Sequence, residues 1–327
     1  MDFLIGSLTR EGGPGVARVR LARGRLTEVW RDGRLTDPNW LATGPGGRLF
    51  AVSSDAPGDA PGCVNELALT REGLTLLARQ PTGGSAPCHI GFSPDGRYLL
   101  AANYGDGSVA VFPLAGGALG ACAQRVSHVG RGPHPTRQAG PHIHQITPVP
   151  ALPGHVCATD LGTDELVVYR QDADTGRLTE RYRVPVPAGE GPRHLAYAPN
   201  GRGWLVTELG NRLFPVDFSP ESGRVGDGLS TVEQPGSGTA AAIRLSPDGG
   251  TAFVSNRGED SVAVFSLAPF RKTAVWRGVG AKPRDFALLP GGYALAACQG
   301  EGVALLADGR RTQLLPMPGA VCVLPLP

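Results

Sequence analysis

Histidine and arginine residues recur at the starts of short apolar segments of this chain. Four of the seven histidines occupy such positions. An imidazole that titrates near neutral pH can take a proton from water, and a guanidinium can hold an oxyanion, a carboxylate or a phosphate. The combination indicates acid–base chemistry on an anionic ligand. The residues at these positions are His89, His142, His144, Arg193, His194, Arg244 and Arg284.

These segments belong to a repeated unit of apolar strand, tight turn and apolar strand. The unit recurs roughly every 43–58 residues, a period typical of propeller repeats. Ser93-Pro94-Asp95-Gly96, Ala198-Pro199-Asn200-Gly201 and Ser246-Pro247-Asp248-Gly249 are examples of its turns. The pattern predicts an all-β fold, a seven-bladed β-propeller built of four-stranded antiparallel blades.

The two ends of the chain complete the count of blades. Residues 3–7 read as a second strand without an inner strand before it, and residues 319–324 read as an inner strand without a second strand after it. Paired, they form one blade and remove two exposed sheet edges. We therefore expect the C-terminal strand to close the ring inside the N-terminal blade, with a single domain over residues 1–327.

Counting outward from each turn predicts which polar residues face one another at one mouth of the central channel. A polar residue at a strand end often only satisfies buried backbone groups, but the convergence of several blades favours a ligand pocket. His128 and His155 lie outside the strand starts and are expected to contribute little. The predicted pairs are His89 with Asn103, His144 with Asp160, Arg193 with Glu208, Arg244 with Asn256 and Arg257, and Arg284 with Gln299.

Composition and charge exclude several classes of function. The formal net charge is +2 and the arginines form no basic run, so nucleic acid is not expected as a partner. No run of about 18 apolar residues is present and Met1 leads directly into a strand, so neither a membrane span nor a signal peptide is predicted. The six scattered cysteines are typical of reduced thiols and favour a cytoplasmic location. His142 and His144 have no evident third ligand, so no metal and no organic cofactor is expected.

Several segments resemble the lactonase family of seven-bladed propellers. That family includes the cycloisomerase-type bacterial 6-phosphogluconolactonase and the fungal carboxy-muconate lactonising enzyme. The chain departs from the family pattern at Asn39-Trp40 and Ser54-Asp55, which bears on the identity of the substrate. The segments that carry the resemblance are Pro87-Cys88-His89, residues 102–109, residues 137–144, residues 160–164, Gly191-Pro192-Arg193-His194, residues 255–261 and residues 283–287.

The resemblance implies the hydrolysis of a sugar lactone, with 6-phosphogluconolactone giving 6-phosphogluconate. It implies catalytic roles for His144, Arg193, Glu208 and Arg257. His144 would take a proton from water and Asp160 would orient its ring. Arg193 and Arg257 would hold the oxyanion, and Arg244 or Arg284 would hold a phosphate. The expected substrate-binding residues are His89, Asn103, His142, Asp160, His194, Arg244, Asn256 and Arg284.

Two other classes of function remain open on the sequence. The same arginines could bind the two carboxylates of a muconate in a lactone-forming cycloisomerase. Alternatively, the chain could be a non-catalytic propeller that presents its rim or pocket to a protein partner. Turnover of sugar lactones or of muconates would separate the two enzymes, and inactivity on both would favour the binding module.

Overall fold

Seven small antiparallel sheets arranged in a ring make up the computed structural model, which describes residues 1–54 and 62–327. Asp55, one of the departures noted above, lies outside the described residues. The seven-bladed propeller predicted from the repeats is confirmed. The turn glycines adopt the left-handed backbone that such turns require, with φ of 71° at Gly96, 84° at Gly201 and 70° at Gly249.

The first four blades are described from the innermost strand outward. Blade 1 contains Ala320–Pro325, Asp2–Ser7, Val16–Ala22 and Arg25–Asp32. Blade 2 contains Trp40–Thr43, Leu49–Ser53, Cys63–Leu69 and Leu74–Pro81. Blade 3 contains Pro87–Phe92, Tyr98–Asn103, Ser108–Ala115 and an outer edge of Ala118–Leu119 and Gln124–Ser127. Blade 4 contains Ile143–Pro148, His155–Asp160, Glu165–Gln171 and Leu178–Pro185.

The remaining three blades follow the same order. Blade 5 contains Pro192–Tyr197, Gly203–Thr207, Arg212–Phe218 and an outer edge of Gly223–Val225 and Leu229–Ser230. Blade 6 contains Thr239–Leu245, Thr251–Arg257, Ser261–Leu267 and Phe270–Arg277. Blade 7 contains Pro283–Leu288, Tyr293–Cys298, Gly302–Ala307 and Arg310–Pro316. Helical structure in the described residues is confined to the 3-10 turns Thr9–Glu11, Pro45–Gly47 and Pro290–Gly292.

The ring closes through the two ends of the chain, as the half-blades predicted. The inner strand Ala320–Pro325 pairs with Asp2–Ser7, and Val323 lies opposite Ile5. Each of the seven innermost strands contacts the innermost strands of both neighbouring blades. These strands therefore surround a central channel, and we call the end at which they begin the mouth.

The core lies between neighbouring blades. Because side chains alternate along a strand, each sheet offers one apolar face to the blade before it and one to the blade after it. Leu100 and Val111 of blade 3 pack with Val156 and Val167 of blade 4, and all four are fully buried. Burial of each such side chain contributes about 1.5–3 kcal/mol, so the blades fix the channel that they enclose.

A β-bulge interrupts the inner strand of several blades near the mouth. In blade 5 the paired residues jump from Pro192 to His194, so Arg193 is left out of the ladder. The register shifts in the same way in blades 1, 3, 4 and 7. A bulge re-aims the extra side chain, and here it turns one residue of each strand toward the channel axis. The five bulge residues are Cys88, His144, Arg193, Arg284 and Val321.

Candidate active site

The five bulge residues line the centre of the channel just inside the mouth. They surround a cavity of about 10 Å³ together with Asn39, Trp40 and His194. A space of this size holds at most about one water molecule. A ligand of the size of a sugar therefore does not fit at this level of the channel.

Glu208 is the carboxylate around which the mouth is organised. It follows the second strand of blade 5 and its side chain is buried. It forms ion pairs with Arg193 of its own blade, Arg257 of blade 6 and Arg137 of the loop between blades 3 and 4. The distance from Oε2 of Glu208 to Nη2 of Arg257 is 3.0 Å. The predicted pairing of Arg193 with Glu208 is confirmed.

The charges of this cluster shift one another's pKa values. Burial alone would raise the pKa of Glu208, but Arg257 and Arg193 hold it well below its usual value. Burial lowers the pKa of Arg257 to about 10, and Glu208 opposes that change. At neutral pH Arg257 is therefore charged, and Glu208 is an anion that cannot readily take up a proton.

His144 is held by Arg193 and is neutral. Nη1 of Arg193 lies 2.6 Å from Nε2 of His144. A guanidinium only donates, so Nε2 must accept and the proton of the ring must be on Nδ1. Burial, reinforced by Arg193, lowers the pKa of His144 well below its ordinary value. Nδ1 of His144 is buried and has no hydrogen-bond partner in the structure.

Arg284 is a partly buried residue whose guanidinium contacts amide oxygens rather than a carboxylate. Nη1 lies 3.4 Å from Oε1 of Gln299, and Nη2 lies 3.3 Å from Oδ1 of Asn39. The amide nitrogen of Gln299 donates in turn to Glu11 at 2.8 Å. No carboxylate in the described part of the chain forms an ion pair with Arg284. Its charge is therefore available to an anionic ligand.

Arg137 was not among the residues predicted for the site. It lies on the loop of residues 128–142, where the sequence pattern specifies neither strand nor helix, and its side chain is 38% exposed. Besides the ion pair with Glu208, Nη2 donates to the hydroxyl of Tyr104 at 3.2 Å. The buried Gln138 fixes the loop by donating to the carbonyl of Leu161 at 2.9 Å. The only signal in the sequence is that Arg137 begins one of the segments that resemble the family.

His142 lies at the mouth, above the level of His144, and is partly exposed. Its ring stacks on Tyr104 with centroids 4.5 Å apart and an angle of 16° between the planes. Nδ1 lies 2.7 Å from the carbonyl oxygen of Tyr104. Because a carbonyl oxygen can only accept, this nitrogen carries the proton.

Trp40, His89 and His194 close the channel below the bulge residues. The ring of His89 lies 4.6 Å from that of Trp40 and 6.1 Å from that of His194. Burial lowers the pKa of His89 to about 3 and holds that of His194 well below its ordinary value. These imidazole rings are therefore neutral. The role of His89 and His194 in substrate binding stays a prediction.

Three further residues predicted to bind substrate are fully buried and serve the fold. Asn103 donates to Ser108 at 3.0 Å and Asn256 donates to Ser261 at 3.1 Å, across the turn between the second and third strands of their blades. Asp160 accepts from Nδ1 of His128 at 2.7 Å and from the backbone of residues 142, 162 and 163. The expectation that Asp160 orients His144 is therefore wrong.

The predicted place of Arg244 is also wrong. It lies opposite Phe253, close to the turn of blade 6, and not opposite Arg257. The strand starts at Thr239, so a residue near the turn is at the end of the channel far from the mouth. There Arg244 forms an ion pair with Asp285 and lines a separate cavity of about 630 Å³. Four of the predicted site residues are thus brought together with Arg284 at the mouth, namely His144, Arg193, Glu208 and Arg257.

The part of the chain that the structure describes offers neither a metal site nor a membrane-spanning helix. No group of three or more His, Cys, Asp or Glu residues there could hold a metal ion. None of the helices in residues 1–54 and 62–327 is long and apolar enough to cross a membrane.

Comparison with protein families identifies the relatives of this chain. The model of the lactonase, 7-bladed beta-propeller family matches residues 2–306. The chain belongs to this family. It is 30% identical to the 6-phosphogluconolactonase of Bacillus subtilis over 341 residues, covering 98% of this chain and 96% of the relative.

Solved structures agree with the family assignment. The periplasmic gluconolactonase of Pseudomonas aeruginosa superposes with a TM-score of 0.90 at 27% identity, covering 100% of this chain and 99% of that one. A protein from Lactobacillus plantarum superposes with a TM-score of 0.90 at 28% identity, with the same coverage. One of these relatives is described as periplasmic, so the cytoplasmic location stays a prediction.

Proposed function

We propose that this protein is a lactonase that hydrolyses an anionic sugar lactone, 6-phosphogluconolactone, at the mouth of the channel. The family assignment and the Bacillus relative support the reaction. An anionic substrate is supported by the excess of cationic donors over carboxylates at the mouth. Four guanidinium groups, those of Arg137, Arg193, Arg257 and Arg284, meet around one carboxylate, that of Glu208.

Unused hydrogen-bond donors point to where an anion would bind. Nε of Arg257 is buried without a partner among the described residues. A buried donor without an acceptor costs about 1–3 kcal/mol, which an oxyanion or phosphate oxygen would offset. Arg284 has amide oxygens for neighbours and can exchange them for a charged ligand. Guanidinium groups bind carboxylate and phosphate in a bidentate, charge-assisted way.

The hydrolysis follows from these groups. A water molecule loses a proton to a neutral imidazole as its oxygen attacks the lactone carbonyl. Arg257 stabilises the oxyanion that forms, and Arg284 holds the anionic substituent of the sugar. When the intermediate collapses, the ring C–O bond breaks and the leaving oxygen takes the proton back. Glu208 keeps the guanidinium groups in place.

The test is the rate at which the purified protein removes 6-phosphogluconolactone above the spontaneous rate. We expect faster turnover of the phosphorylated lactone than of δ-gluconolactone. Arg257→Ala should lower kcat by about 10²–10³-fold, because one oxyanion donor is lost. Arg224→Ala, on the exposed outer edge of blade 5, is the matched control and should leave turnover unchanged.

Three results would contradict the proposal. Equal turnover of both lactones would show that the phosphate has no role in substrate recognition. Turnover of muconates instead of sugar lactones would identify a cycloisomerase. Inactivity on all of these compounds would favour a binding module.

A further inference from the structure

The two histidines of the segment His142-Ile143-His144 differ in the nitrogen that each leaves free. Nε2 of His144 accepts from Arg193 at 2.6 Å, so its only lone pair is occupied. Nδ1 of His142 donates to the carbonyl of Tyr104 at 2.7 Å, so the lone pair of the neutral ring is on Nε2. Within the described residues, no donor forms a hydrogen bond to Nε2 of His142. Only His142 can therefore accept a proton without first breaking a contact.

The two rings also differ in their accessibility to a ligand, and this difference again favours His142. His144 is 4% exposed and borders a cavity of about 10 Å³, in which a water molecule could not sit beside a lactone. His142 lies higher and is partly exposed, and it contacts Tyr104, which also accepts a hydrogen bond from Arg137. A general base must come within about 2.6–3.2 Å of the atom that it deprotonates, directly or through one water. The position of His142 allows this and that of His144 does not.

The ring of His142 is held as a base requires. Tyr104 supplies both the stacking partner, at 4.5 Å, and the carbonyl that selects the tautomer. The backbone N–H of His142 donates to Oδ1 of Asp160 at 2.8 Å. Asp160 is bonded in turn to His128. An orienting contact on one ring nitrogen that leaves the other free is the arrangement of general-base histidines.

We propose that His142, and not His144, is the general base of the hydrolysis. Nε2 of His142 takes the proton of the attacking water as the new C–O bond forms at the lactone carbonyl. The resulting imidazolium returns that proton to the leaving ring oxygen, so that one lactone and one water give one hydroxy acid. His144 is a positioning residue that holds Arg193. This assignment rests on the proposed lactonase function.

Substitution and chemical rescue test the assignment on the full-length protein. His142→Asn keeps an N–H for the carbonyl of Tyr104 but removes the base, and should lower kcat on 6-phosphogluconolactone by about 10²–10⁴-fold with little change in KM. Added imidazole should restore at least about a tenth of the activity to His142→Gly. His144→Gln should also lose activity, because Arg193 is displaced, but imidazole should not restore it. His155→Asn, on blade 4 away from the mouth, should match the wild type.

A measurement on the unmodified protein tests the proposal without depending on whether the variants fold. ¹⁵N-detected NMR of the histidine rings should show His142 protonated on Nδ1 and unprotonated on Nε2. A proton on Nε2 would overturn the proposal. So would a His142→Asn variant within about 3-fold of wild-type kcat, or rescue of His144→Gln by imidazole, and in both cases the lactonase function would stand. A wild type inactive on every lactone would overturn the base and the function together.

Discussion

Nδ1 of His128 lies 2.7 Å from Oδ2 of Asp160, and the other nitrogen of the same ring lies 2.6 Å from the hydroxyl of Tyr169. All three groups are buried. The ring thus joins the second and third strands of blade 4 to the loop that carries Arg137. The prediction that His128 contributes little to the pocket stays a prediction; its contacts here are structural, because the loop folds back onto the blade.

His128→Ala should lower the free energy of unfolding by about 1–3 kcal/mol, since it leaves the buried Asp160 and Tyr169 without their partner. Urea unfolding at pH 7 measures the loss. His155→Ala removes a ring whose one hydrogen bond is exposed, at 3.0 Å from the carbonyl of Pro153, and should change stability by less than about 0.5 kcal/mol. Equal effects of the two substitutions would show that the contacts of His128 do not stabilise the fold.

Acidification should weaken the fold through three buried histidines. Burial holds the pKa of His144 and His194 well below the ordinary value of 6.5 and lowers that of His89 to about 3. The unfolded chain therefore binds more protons than the folded one below pH 6.5, so stability is full above that pH and is lost as the pH falls. Each ring costs about 1.4 kcal/mol per pH unit in that range.

Urea unfolding between pH 7.5 and pH 5 measures this slope. The interval lies above the range in which Glu208, whose pKa is also lowered, would add a loss of the same sign. His89→Gln removes one of the three rings and should reduce the slope by about 1.4 kcal/mol per pH unit. An unchanged slope in that variant would mean that His89 is charged or accessible in the folded state.

Arg284→Gln should raise KM for the phosphorylated lactone by about 10- to 100-fold and change kcat little. The guanidinium binds the substituent equally in the ground state and the transition state, and a charge-assisted hydrogen bond contributes about 1.5–3 kcal/mol. Steady-state kinetics on 6-phosphogluconolactone provide the measurement. Arg244→Lys is the matched control, because Arg244 lies at the other end of the channel and lysine can keep the ion pair with Asp285.

On the sequence alone, either Arg244 or Arg284 could hold the phosphate, and the two variants distinguish these positions. If Arg244→Lys raised KM and Arg284→Gln did not, the anionic group would bind at the far end of the channel, in the cavity of about 630 Å³.

Deletion of residues 318–327 should destabilise the whole ring. It removes the inner strand of blade 1, which buries Val321, Cys322 and Val323 and pairs with Asp2–Ser7. At about 1.5–3 kcal/mol for each buried side chain, the melting temperature should fall by at least about 10 °C. Circular dichroism during heating measures it, with deletion of Pro327 alone as the control. A normal melting temperature would show that the closing strand is dispensable.

The blades could be predicted because the turns and the apolar strands are local patterns. The half-blades at the two ends predicted the closure, and counting from the turn of blade 5 paired Arg193 with Glu208. The bulges could not be predicted, because one extra residue leaves the apolar pattern of a strand almost unchanged. Loop 128–142 has no periodicity at all, so nothing in the sequence placed Arg137 over Glu208.

The structural role of two predicted site residues was visible in the sequence. Asn103 and Ser108 are separated by five residues, and so are Asn256 and Ser261. The repetition of this spacing in two blades indicates a turn contact that each blade makes for itself. A polar residue that recurs in several blades with a partner five residues later has a structural role in each blade. Glu208 and Arg284 have no partner at that spacing.

The bulges also bear on how specificity can change in this protein. Cys88, His144, Arg193 and Arg284 are each set by a bulge within one blade, and the ladders on either side continue undisturbed. The backbone at each such position is therefore set by its own blade, whereas the side chains contact one another across blades. Coordinated mutations in neighbouring blades can change the chemistry that lines the channel, so new substrates can be acquired without a new scaffold.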